Sequence, residues 1–96
     1  MERYRKLIEV KGIVQGVGFR PFVYNLAIKY KLLGWVNNNG KGVIIDIEGS
    51  KENIDKFIDN LKNNPPPLAN IISIKILEMN NINYKNFSIK ISNNKL

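Results

Sequence analysis

Residues 12–23 read Gly12-Ile13-Val14-Gln15-Gly16-Val17-Gly18-Phe19-Arg20-Pro21-Phe22-Val23. Upstream, Ile8 and Val10 alternate with Glu9 and Lys11, the period of a half-buried strand over residues 7–13. Downstream, Phe22, Val23, Leu26, Ala27 and Tyr30 fall at helical spacing and make one apolar face. Pro21 suits the first helical position, where a missing N–H costs nothing. Gly34, just past Leu33, reads as the C-terminal glycine of that helix. A strand is therefore handed to a helix through a glycine-rich turn, and the rest of the fold reads outward from this junction.

Residues 34–38, Gly-Trp-Val-Asn-Asn, form a short second strand, and Asn39-Gly40-Lys41-Gly42 is a tight hairpin turn. Residues 43–48 return, with Val43, Ile45 and Ile47 on one face and Asp46 and Glu48 on the other. Ser50 is a good N-cap for a second helix. Its apolar face is Ile54, Phe57, Ile58 and Leu61, at i, i+3, i+4 and i+7. Pro65-Pro66-Pro67 ends it. Residues 71–77 alternate again, Ile72, Ile74 and Ile76 against Ser73 and Lys75. The polar stretch Asn80 to Asn86 leads to a last short strand with Phe87, Ile89 and Ile91. The order β-α-β-β-α-β plus a short fifth strand predicts an α+β, ferredoxin-like split βαβ sandwich with two helices on one face of an antiparallel sheet. One domain is expected over residues 1–96, with a core of about 5–91 and a loose polar tail at 92–96.

Composition narrows the chemistry. The chain has no cysteine and no histidine. Disulfides, thiolate nucleophiles, thiolate metal sites and imidazole bases are excluded together. The few acidic residues are spread out, so no metal site and no cofactor are expected. No stretch approaches the ~18 apolar residues of a membrane-crossing helix. The start, MERYRKLIEV, has charges but no apolar core of a secretory signal. A soluble cytoplasmic protein without membrane partners is expected. The net charge of +7 fits either an anionic partner or a lysine-rich solvated surface, because the basic residues are scattered. Nucleic acid is not the expected partner. RNA-reading sheets carry exposed aromatics on the first and third strands, and neither strand here has one.

The turn at 14–20 can carry chemistry by position alone. Amides at a helix start lack intrahelical partners, and the helix dipole adds partial positive charge. Gly16 and Gly18 let the backbone curl and approach a ligand closely. Arg20 adds a planar fork of donors suited to phosphate. Spacing alone is equally compatible with a plain glycine turn beside a surface arginine, since neither the dinucleotide nor the P-loop pattern is present. Asn38 is one of three consecutive asparagines and reads, by composition, as a turn residue. Phe19, Phe22, Tyr24, Tyr30 and Trp35 read as core or rim.

Gly12-Ile13-Val14-Gln15-Gly16-Val17-Gly18-Phe19-Arg20 resembles the acylphosphatase signature G-x-V-Q-G-V-x-F-R, and Gly34-Trp35-Val36-Asn37-Asn38 resembles its second motif, G-W-V-x-N. The resemblance spans about residues 5–91. Phe19-Arg20-Pro21-Phe22-Val23 and Pro66-Pro67-Leu68-Ala69-Asn70-Ile71 look more narrowly like the N-terminal domain of the HypF carbamoyltransferases of nickel–iron hydrogenase maturation. The resemblance implies an acylphosphatase that cleaves the carboxyl–phosphate bond of acyl phosphates such as carbamoyl phosphate. It also implies the alternative of a phosphate-binding domain with little activity when isolated. It assigns Arg20 to phosphate binding and Asn38 to orienting water, with the main chain of Gln15, Gly16, Val17, Gly18 and Phe19 completing a phosphate cradle. The implied partners are acyl phosphate or phosphate, the other HypF domains and hydrogenase maturation proteins.

Overall fold

The computed structural model describes residues 2–90; the expected loose tail at 92–96, and Ile91 of the last strand, lie outside the described residues. The elements are β1 (Tyr4–Ile13), α1 (Phe19–Lys29), β2 (Leu33–Asn38), β3 (Gly42–Gly49), α2 (Lys51–Asn63), β4 (Asn70–Met79) and β5 (Phe87–Ile89). The sheet order is β4-β1-β3-β2-β5. β1 pairs antiparallel with β3 and β4, and β2 antiparallel with β3. β5 runs parallel to β2, so the sheet is mixed rather than wholly antiparallel. Otherwise the arrangement is the ferredoxin-like α+β sandwich that the element order predicts.

Alternation fixes which face is apolar. Ile8 and Val10 of β1, Val36 of β2 and Val43, Ile45 and Ile47 of β3 form one buried cluster with Val23, Leu26 and Ala27 of α1 and Ile54, Phe57 and Leu61 of α2. Both helices therefore cover one face. α2 starts as the sequence predicts, with the Ser50 hydroxyl accepting the Asn53 N–H at 3.2 Å. Among the described residues no helix is long and apolar enough to cross a membrane.

Three local expectations change. α1 begins at Phe19 after an N-cap at Gly18, which places Pro21 at the third helical position instead of the first. No N–H is lost there, because the first backbone bond of the helix is donated by Phe22 to the Gly18 carbonyl, at 3.1 Å. Gly34 is not the helix terminator; Lys31 takes the left-handed conformation after α1, with φ 57°. Gly34 lies inside β2 with φ 137°, where an added Cβ would sit 1.8 Å from the Asp46 carbonyl oxygen. In β4 the register against β1 shifts between Lys11 and Gly12, leaving Ile72 as the extra residue of a bulge. Ile71, not Ile72, therefore joins Ile74 and Ile76 against the core, while Ile72 is 76% exposed.

The opposite face of the sheet contradicts the simple expectation of polar residues facing water. Asp46 and Glu48 of β3 are both buried. Arg5 clasps Asp46 with two bonds, Nε–Oδ1 at 2.9 Å and Nη2–Oδ2 at 2.6 Å. The Tyr84 hydroxyl donates to Asp46 at 2.8 Å and accepts the Trp35 indole N–H at 3.0 Å. Glu48 accepts the backbone N–H groups of Ile82, Asn83 and Tyr84 at 2.6, 2.9 and 2.7 Å. The polar stretch after β4 thus folds back over the sheet, held by two carboxylates whose burial is tolerable only because each is fully engaged.

Burial alone pushes the Glu48 carboxyl up, but the Asn83, Ile82 and Tyr84 amides and the Arg3 charge outweigh it and hold the group below its ordinary value of 4.5. A carboxyl lowered on folding stabilises the native state above its unfolded pKa, and that contribution is lost as pH falls through the folded one. Unfolding free energy should therefore hold near neutrality and fall once pH drops below about 4.5. Glu48→Gln should cost about 2–3 kcal/mol at pH 7, since its amide would face N–H donors. The same variant should show a shallower acid limb in urea melts taken across this range.

Candidate functional site

The junction between β1 and α1 is pinned at both ends. Val14 and Phe19 are each 1% exposed, and the Phe19 ring packs against Phe22 with centroids 5.7 Å apart. Between these anchors the chain must reverse in four residues. It does so with Gly16 at φ 73° and Gly18 at φ 79°, both left-handed. A Cβ at either glycine would meet no protein atom within 4 Å, so the requirement is conformational and not steric. Val17 turns inward and packs against the core.

The two helix starts are built differently. α2 has its Ser50 cap and an acidic Glu52 in its first turn. α1 has no side-chain cap and no acidic residue in its first turn. The amides of Phe19 and Arg20 thus precede the first bonded turn of a helix whose dipole is not offset by a neighbouring carboxylate.

Asn38 closes β2 and pairs with Val43 of β3. Alternation along β2 places it on the same face as Val36, the face that carries the helices, and Asn37 on the other. Asn39 is committed to the hairpin turn, its Oδ1 accepting the N–H groups of Lys41 and Gly42 at 3.1 and 2.9 Å. The three asparagines that composition could not tell apart are therefore separated by strand parity and turn chemistry.

Gln15, Gly16, Gly18, Phe19 and Arg20 line one concave cavity of about 250 Å³, with Val14 and Pro21 in its wall and Asn38 on its far side. Val17 does not line it. The Gln15 side chain reaches the start of β3, where its Nε2 donates to the Gly42 carbonyl at 3.4 Å. Sequence reasoning did not find this contact, and no spacing pattern would reveal it. The cavity offers backbone amides, a guanidinium and a carboxamide, a set of donors suited to a tetrahedral anion. Two other concavities lie at the opposite end of β1. One is lined by Arg3, Arg5, Lys6 and Glu78, where Arg5 is already spent on Asp46. The other lies at the Ser50-capped start of α2. Among the described residues no group of three or more Asp, Glu, His or Cys is placed to hold a metal ion.

Against known proteins, the sequence profile described as Acylphosphatase matches residues 6–89. The probable carbamoyltransferase HypF of Methanocaldococcus jannaschii is 57% identical over 75 residues, which is 78% of this chain and 10% of that protein. A crystal structure of full-length HypF in the phosphate- and nucleotide-bound form superposes with a TM-score of 0.91 at 46% identity, covering 93% of this chain and 12% of that one. The crystal structure of acylphosphatase from Bacillus subtilis superposes with a TM-score of 0.84 at 37% identity, covering 93% of this chain and 99% of that one. The chain thus spans about a tenth of the length of the HypF carbamoyltransferases and nearly the whole of the small enzyme. With the profile match covering most of its length, the chain belongs to the acylphosphatase family.

Proposed function

We propose that this chain hydrolyses the carboxyl–phosphate bond of acyl phosphates, with carbamoyl phosphate as the substrate in a HypF-type, cytoplasmic setting. The observation that carries the proposal is the convergence of the uncapped α1 start, Arg20 and Asn38 on one cavity.

In the reaction, the main-chain amides of Gln15, Gly16, Gly18 and Phe19 and the Arg20 guanidinium hold the phosphoryl oxygens. The Asn38 carboxamide hydrogen-bonds a water in line with the scissile bond. The water oxygen bonds to phosphorus as the bond from phosphorus to the acyl oxygen breaks. The products are inorganic phosphate and a carboxylate, which is carbamate when the substrate is carbamoyl phosphate. The leaving carboxylate needs little protonation, and the substrate's own phosphate oxygens take the proton from water. A site without histidine suffices because its task is positioning and charge neutralisation.

A second reading is favoured by one observation: the 57% identity, over 78% of this chain, to a protein of which the match covers only 10%. On that reading the domain holds phosphate or carbamoyl phosphate for the remaining domains of a HypF-type carbamoyltransferase, in hydrogenase maturation, and turns over slowly by itself. Hydrolysis of benzoyl phosphate and carbamoyl phosphate by the isolated chain separates the two. Turnover well above the buffer rate supports the hydrolase; phosphate binding with no turnover supports the holding role.

Removing one preorganised donor typically costs about 3–4 kcal/mol of transition-state stabilisation, or roughly 10²–10³ in rate. Arg20→Ala should lose turnover by at least this factor and weaken inhibition by inorganic phosphate. Asn38→Ala should lose turnover by a similar factor while phosphate inhibition stays within about twofold, because its role is toward water. Equal loss of phosphate affinity in both variants contradicts this division of roles.

A further inference from the structure

The phosphate-facing loop and Asn38 do not sit on neighbouring strands. β3 lies between β1 and β2, so the two halves of the cavity are a full strand apart. Their separation is set where β3 begins. There Gly42 pairs with Lys11 of β1, and the next residue, Val43, pairs with Asn38 of β2. The two backbones approach closely there: a Cβ on Gly42 would lie 2.0 Å from the Val10 carbonyl oxygen, so no other residue fits without moving β3. Its own carbonyl accepts two donors: the Asn39 N–H at 3.1 Å and the Gln15 side-chain amide at 3.4 Å. The Asn39 side chain closes the same turn from its other side, through the N–H groups of Lys41 and Gly42.

We infer that Gln15 and Asn39 are positioning residues: the Gln15 side chain ties the 14–20 loop to the turn that immediately follows Asn38 and so fixes the distance from bound phosphoryl group to attacking water. Gln15 then acts in two ways. Its main-chain amide belongs to the cradle, and its side chain braces the cradle against β3 without touching the anion. This inference rests on the acyl-phosphate reading above and adds a second pair of residues to it. In-line attack is sensitive to displacements of about 1 Å, so loosening the brace acts on the chemical step more than on binding.

The test compares the unaltered chain with Gln15→Ala and Asn39→Ala, by benzoyl phosphate hydrolysis and by amide NMR titration with inorganic phosphate. Both variants should lose about tenfold in kcat while phosphate Kd stays within about twofold. Phosphate should shift the Lys41 and Gly42 amide signals in the unaltered chain and cease to do so in Gln15→Ala, where the signals of residues 16–20 still respond. A tenfold weaker phosphate Kd in Gln15→Ala would instead make the side chain a phosphate ligand and overturn the proposal. Unchanged kcat together with persisting Lys41 and Gly42 shifts also overturns it. If the unaltered chain binds phosphate without turnover, the hydrolase reading fails, and the NMR arm still decides whether the brace exists.

Discussion

The burial of Val14 and Phe19 on either side of a four-residue reversal is the constraint on which the candidate site depends. Two side chains in the core fix both ends of the turn. The path taken between them puts Gly16 and Gly18 in the left-handed region, which glycine adopts at little cost. Once the chain enters α1 this way, no side chain is placed to cap the helix and no carboxylate sits in its first turn. A helix start whose first amides have neither an intrahelical partner nor a side-chain cap is thus a consequence of how the strand joins the helix. Burying the Phe19 side chain, stabilising by about 1.5–3 kcal/mol, also holds the adjacent Arg20 at the rim.

The far side of the cavity is held by a different kind of force. Asn38 ends β2, whose position depends on β3, the strand flanked by β1 and β2 in the middle of the sheet. On the face away from the helices β3 carries Asp46 and Glu48, which draw Arg5, Tyr84, Trp35 and the 82–84 backbone into one polar network. Lys90 adds its ammonium 4.5 Å from the Trp35 ring centroid. Apolar burial thus places the loop half of the cavity, and buried charges lock the strand pair that presents Asn38. Such a network stabilises only when complete, which ties the register of β2 to the segment folded over it.

Much of this was legible in the sequence. Alternation in β1 and β3, the i, i+3, i+4, i+7 pattern of α2 and the Ser50 cap each led to the element found. The glycine turn ahead of Arg20 was legible as a possible anion nest, and motif resemblance alone singled out Asn38. Strand parity would have done so too, since Asn38 lies two residues beyond the buried Val36. Other features were out of reach for physical reasons. The parallel pairing of β5 and the burial of Asp46 and Glu48 are tertiary events between residues more than thirty positions apart. The β4 bulge inverts a local alternation with no glycine or proline inside β4 to announce it; the glycine that faces it, Gly12, lies on β1. Gly34 read as a helix terminator because its true role, close approach to Asp46 of the neighbouring strand, leaves no trace in the flanking residues.

The central claim is that one cavity gathers main-chain amides, the Arg20 guanidinium and the Asn38 carboxamide around a tetrahedral anion. A crystal structure of the chain grown with phosphate or sulfate tests it most directly. The account predicts the anion against Arg20 and the amides of Gln15, Gly16, Gly18 and Phe19, with the Asn38 carboxamide facing it across a water. An anion bound instead beside Arg3 and Lys31 at the start of α2, with the 14–20 loop empty, would contradict it.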